Sequence, residues 1–130
     1  MAVRVFLALQ TLIWLPYGIV CFFVPEFPAN SAGLSATSAT ATTELRAMYG
    51  GLQVAIGLLA LFALLNAKRV HSALWCLAIL IGGIGLARVL AALMAGDAST
   101  YTLGGASFEF VASAWATWLL SRRSAGSPSR

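Results

Sequence analysis

Apolar residues run through this chain in four long stretches, and the charged positions fall between the stretches more than inside them. Val5 to Pro25 is 21 residues without a charge, and Ala47 to Ala67 is another 21. Val70 to Gly96 is interrupted once, by Arg88, and Tyr101 to Ser121 once, by Glu109. At about 1.5 Å rise per residue, roughly 20 residues of helix cross a hydrocarbon layer of about 30 Å. The pattern therefore predicts helices at about 4–24, 44–66, 71–95 and 102–121. Two firm spans plus a buried hydrophobic pair is the competing arrangement, disfavoured because nothing soluble remains to bury them. The expected fold class is all-α: an integral membrane four-helix bundle in one domain over 1–123, with a disordered tail at 124–130.

Composition changes the picture only by closing other doors. Hydrophobic residues make up 60% of the 130 and charged ones 9%, against about 25% charged in an ordinary soluble domain. Mean hydropathy is +0.88. A water-facing globule, a disordered chain, a collagen-like repeat and a disulfide scaffold are all excluded on these numbers. The first apolar run is longer than the 7–15 residues usual for a secretory signal, and no small-x-small cleavage site follows it. It is expected to be retained as a span.

The basic residues set an orientation. Arg4 precedes the first helix, Lys68 and Arg69 lie between the second and third, and Arg122, Arg123 and Arg130 follow the fourth. The other two loops carry Glu26, Glu44 and Asp97. By the positive-inside rule both termini are expected to be cytoplasmic. The pI near 9.7 then reports topology. No nucleic-acid partner is expected, because no basic stripe interleaved with aromatics is present. Cys21 and Cys76 fall near opposite ends of different helices, so they are expected to stay unbridged as buried apolar thiols. Residues 29–43 are low-complexity Ala, Ser and Thr and read as a flexible connector. Thr42 or Thr43 is expected to cap the second helix, with Glu44 in its first turn.

Polar groups at membrane depth carry the candidate chemistry. An Arg at a helix centre costs about 2.5–3.5 kcal/mol on insertion scales, so Arg88 needs a partner. It lies eight residues before Gly96, about 12 Å below the helix end, and Glu109 lies at similar depth on the next helix. The two are expected to pair, either as a structural ion pair or as part of a site. In the second helix Arg46, Tyr49, Gly50, Gln53 and Gly57 recur at three- and four-residue steps, which places them on one stripe. Trp14 and Tyr17, with Gln10 a turn below, join the same layer from the first helix, where Pro16 is expected to bend the chain. The candidate ligand-binding set is Tyr17, Arg46, Tyr49, Gln53, Arg88 and Glu109, and the candidate catalytic pair is Glu109 with Arg88. Tyr17, Tyr49, Arg46 and Glu44 also suit interface anchors, and Gln53 also suits interhelical glue. Small residues at four-residue steps, Ala47-Gly51-Ala55 and Gly83-Ala87-Ala91-Ala95, suit close helix packing or a dimer. His71 has no second ligand at metal spacing. No nucleotide loop, nucleophile elbow or haem or iron–sulfur cysteine pattern occurs. Neither a metal nor a cofactor is expected.

The block ELRAMYGGLQ at 44–53, followed by Gly57, resembles the signature of a bacterial family of small four-helix membrane proteins, domain-of-unknown-function family 4345. Arg88 in the third helix, Asp97 in a short acidic loop and Glu109 in the fourth extend the resemblance over about 4–121. It implies the four-helix membrane fold and a bacterial inner-membrane location, and it carries no activity.

Three functions fit the polar layer. A binding protein would orient the head of a small amphiphile or lipid-like molecule with Arg88, Glu109, Tyr49 and Gln53. An accessory subunit would pack its small-residue ridges on a larger membrane complex. An isomerase-like enzyme would move a proton with Glu109 while Arg88 or Tyr49 steadied negative charge. The binding reading leads, because a carboxylate beside an arginine is acidified and so weakened as an acid.

Overall fold

The computed structural model describes residues 1–125, and its elements are all helical. They are α1 (Ala2–Phe23), α2 (Glu26–Ser31), α3 (Ala39–Leu45), π-helical turns at Arg46–Gly51, α4 (Leu52–Leu65), a 3₁₀ turn at Ala67–Arg69, α5 (Val70–Ala95) and α6 (Thr100–Ala125). Three helices are long and apolar enough to cross a membrane: Ala2–Phe23, Ala39–Leu65 and Ala67–Ala95. The segment expected as a fourth span is a helix, α6, whose 26 residues match α5 in length, but it is not among these three. It falls short of the other three in apolarity because Glu109 and several Ser, Thr and Gly residues dilute it. Of the expected tail, Ser124 and Ala125 continue α6, and 126–130 lie outside the described residues. Contacts group the chain into two units, Leu7–Asn66 and Met1–Phe6 with Ala67–Arg130.

In the unit Leu7–Asn66, α1 and the helix Ala39–Leu65 run antiparallel at backbone contact. A Cβ on Gly18 would stand 2.6 Å from the Val54 amide, one on Gly50 2.8 Å from Phe22 Cβ, and one on Gly57 2.6 Å from the Leu15 amide. Each pair sums to 72 in residue number, which is the signature of one antiparallel register. Glycine is required at these positions because the opposing atoms are largely backbone and cannot move aside. Inside α1, Thr11 donates to the Leu7 carbonyl at 2.8 Å and Trp14 Nε1 to Gln10 Oε1 at 2.7 Å, so these buried polar atoms are satisfied locally.

The stretch read as a flexible connector at 29–43 is helical at its two ends, 29–31 and 39–43, and non-helical at 32–38. α2 ends in a Schellman motif: Gly33 adopts φ +68, its amide reaches the Asn30 carbonyl, and the Leu34 amide reaches that of Ala29 at 2.7 Å. The next helix starts at Ala39, five residues before the expected 44. Ser38 is its cap, with extended backbone and Oγ accepting from the Ala41 amide at 3.1 Å. Thr42 and Thr43 do not cap. Their hydroxyls bond back to the carbonyls of Ser38 and Ala39, as threonines inside a helix do.

In the other unit, α5 and α6 form an antiparallel hairpin. Ser113 Oγ donates to the Ala78 carbonyl at 2.8 Å, and Gly82 and Gly85 admit Ser113 and Glu109 against the α5 backbone. Phe6 packs edge-on against Trp115, ring centroids 5.3 Å apart. Gly96 ends α5 at φ +67, with its own amide and that of Asp97 both turned back to the Ala92 carbonyl. Ser99 Oγ then accepts from the Thr102 amide and opens α6. Asp97 fixes the turn by accepting from Thr102 Oγ1 at 2.6 Å and from the Ser99 amide at 2.8 Å. These hydrogen bonds, the Thr102 one foremost, hold the Asp97 carboxyl below the usual range. α5 is apolar on all sides: Leu74, Leu77 and Ile81 are buried while Ile79, Leu86, Leu90 and Leu93 are exposed. Only 17% of its most apolar stretch is buried inside the protein, which is the pattern of a lipid-facing helix. Of the two thiols, Cys21 is buried as expected, whereas Cys76 is exposed on α5, and neither is bridged.

Candidate functional site

Arg88 and Glu109 meet across the α5–α6 hairpin. Arg88 Nε donates to Glu109 Oε2 at 2.9 Å and Nη2 to Oε1 at 2.6 Å, so the guanidinium edge takes both carboxylate oxygens in a fork. Two glycines make room for it. Gly85 faces Glu109 Cβ, and Gly105, four residues before Glu109 on the same face of α6, has the Arg88 guanidinium within 3.0 Å of where a Cβ would stand. Glu109 is 3% exposed. Arg88 keeps 27% of its side chain open, and the Tyr101 ring lies 6.0 Å from its Cζ.

The open side of Arg88 borders a groove of about 450 Å³ along α5, walled by Ile84, Ala87, Ala91 and Ala95 and closed at its end by Asp97 and Thr102. A second depression of about 350 Å³, between Val89, Leu93, Leu103 and Ala106, shares Asp97 and Thr102 with it. One wall is therefore alanine, narrow enough in side chain to admit an alkyl chain, and one end is polar. The sequence pattern puts Asp97 in a loop and does not single out Tyr101, Thr102 or Gly105. Gly105 at four residues from Glu109 was the available signal.

The remaining candidates lie in the other unit. Arg46 is exposed and its Nε donates to the Phe22 carbonyl at 3.1 Å, which caps the last turn of α1. Tyr49 borders a depression of about 290 Å³ with Leu34, Glu44 and Met48. The Tyr17 ring meets Phe27 edge-on at 6.1 Å. Gln53 Oε1 is buried without a hydrogen-bond partner. Arg46–Gly51 winds as π-helical turns, with the Leu52 amide bonded to the Ala47 carbonyl, yet Arg46 and Gly50 both meet Phe22 of α1. Gly50 and Gly57 are buried, whereas Arg46 is exposed. Among the described residues no three His, Cys, Asp or Glu side chains gather as metal ligands would.

This arrangement, from the start of α1 to residue 120 in α6, is matched by one family model, Domain of unknown function (DUF4345), over residues 2–120. The chain belongs to this family. No curated protein and no solved structure matches it. Both members of the Arg88–Glu109 pair, and the glycines that seat it, fall within the DUF4345 match.

Proposed function

We propose that this chain is a four-span protein of the bacterial cytoplasmic membrane, with both termini cytoplasmic, that binds a small amphiphilic molecule in the α5–α6 groove. What supports the membrane part is the three long apolar helices and the position of the basic residues, with Lys68–Arg69 and Arg122–Arg123 at one end of the hairpin. The bacterial setting is what the family likeness implies.

One observation carries the binding part: a guanidinium at membrane depth is paired with a buried carboxylate yet keeps 27% of its side chain open to a groove. In hydrocarbon such an opening is costly unless a polar group meets it. The head of an amphiphile does so at Arg88, Thr102 and Asp97, while its tail lies along Ala87, Ala91 and Ala95. Proton transfer by Glu109 fits less well, since both of its oxygens are held by Arg88 and the residue is buried.

Native mass spectrometry of gently extracted protein tests this. A bound molecule that is not bulk phospholipid is expected on the native chain. It should be lost in Ala91→Phe, which fills the groove and leaves the ion pair intact, as well as in Arg88→Ala. A spectrum with bulk phospholipid alone overturns the reading, and so does co-purification in fixed ratio with a larger partner that covers this face.

A further inference from the structure

The far end of the same hairpin has no part in the groove, yet it carries five of the eight Lys and Arg residues of the chain. Arg4, Lys68, Arg69, His71, Arg122 and Arg123 all belong to one unit and are exposed. The segments that supply them, 1–6, 67–75 and 117–125, contain no Asp or Glu. The antiparallel register fixed by Ser113 with Ala78 and by Arg88 with Glu109 sets the start of α5 beside the end of α6.

Just inside this charged end lies a level of exposed indoles. Trp75 on α5 is 53% exposed and Trp118 on α6 is 45% exposed, and the same register brings them to similar height. Trp118 precedes Arg122 by four residues, about 6 Å along the axis. Arg122 folds back so that its Cζ sits 4.6 Å from the Trp118 ring centroid. The guanidinium thus lies over the indole, and a guanidinium fork matches two oxygens of one phosphate.

From this geometry we infer that the Arg122–Trp118 end of the hairpin, with Arg123, Lys68 and Arg69, is a binding surface for the headgroups of anionic phospholipids. The spacing selects this occupant. Rings that sit about one turn inside a ring of cations match the step from acyl chains to phosphates in a bilayer. A soluble acidic partner would meet the cations and leave the indoles unused. The inference rests on the hairpin spanning a membrane, and it is independent of what the groove holds.

The test uses the full chain in nanodiscs of equal phosphatidylglycerol and phosphatidylcholine, followed by native mass spectrometry of the retained lipids. The native chain is expected to keep phosphatidylglycerol over phosphatidylcholine by about fivefold or more. Arg122→Ala with Arg123→Ala should bring that ratio close to one, and the paired Lys substitutions should leave it between the two values, because Lys keeps the charge and loses the fork. Arg46→Ala removes a cation from the other unit and should leave the preference intact. Should the double alanine variant fail to fold, the native chain alone decides. Its tryptophan quenching by brominated phosphatidylglycerol should exceed that by brominated phosphatidylcholine, and the difference should shrink as salt rises from about 0.05 to about 0.5 M. Equal retention of the two lipids by the native chain, or a preference unchanged in the double alanine variant, or one that falls equally with Arg46→Ala, overturns the inference. Loss of the groove ligand in Ala91→Phe would leave these ratios untouched, so the two proposals fail separately.

Discussion

Glu109 is a carboxylate that the chain has arranged to keep occupied. Its two oxygens are forked by Arg88, its Cβ lies against Gly85, and almost none of it is exposed. Removing one partner of such a pair leaves a charge in a poor solvent, at a cost of about 3–5 kcal/mol. Arg88→Glu or Glu109→Arg alone should therefore lower stability by that order in denaturant unfolding from mixed micelles. The double exchange should recover at least about half of the loss, short of all of it because a guanidinium at 109 must fit beside Gly85. A double exchange no more stable than either single change would show that the pair is not a coupled unit. The pairing was legible in the sequence, since each charge was the only one in its apolar run and both lay at similar depth. Arg46 was not legible in the same way. Its partner is a backbone carbonyl, that of Phe22, and carbonyls leave no mark in a sequence pattern.

Elements were read most accurately where a side chain decides them and least where the backbone does. The helix that includes the ELRAMYGGLQ block was expected from its apolar run, but its start moved. The start moved because Ser38, in a tract that looked featureless, offers a hydroxyl to the Ala41 amide. Its first turns also wind differently, since Arg46–Gly51 is π-helix, while Arg46, Gly50 and Gly57 all still meet α1. Glycines in apolar helices read alike in sequence and differ in place. Gly57 has the Leu15 backbone within 2.6–2.8 Å of where a Cβ would stand, whereas Gly83 has nothing within 4 Å. Gly57→Ala must force α1 and α4 apart and should destabilise by about 1–3 kcal/mol. Gly83→Ala, on an open helix face, should be neutral or stabilise by up to about 1 kcal/mol. Unfolding midpoints of the two variants in one detergent compare them directly. Equal effects would mean that the α1–α4 backbone contact does not carry the packing.

At the scale of the whole molecule the open point is α6, which is long enough to cross a membrane and less apolar than the other three long helices. Its one acidic residue lowers its apolarity, beside several Ser, Thr and Gly, and that residue is paired inside the hairpin by Arg88. Inserted together, α5 and α6 present lipid with a paired charge in place of two single ones, so the cost assigned to each helix alone overstates the cost of the pair. The proposed topology then follows from the loops. With Cys21 and Cys76 replaced by Ser, a Cys at Ala98 should react with a membrane-impermeant maleimide added outside intact cells. One at Ala67, or one appended after Arg130, should react only after lysis. If α6 fails to cross, the appended Cys will label from outside together with Ala98, while Ala67 stays protected. That single change of pattern separates four crossings from three. It also decides whether the Arg88–Glu109 fork lies within the hydrocarbon, where an opening to the groove demands a polar partner, or at its edge, where water supplies one.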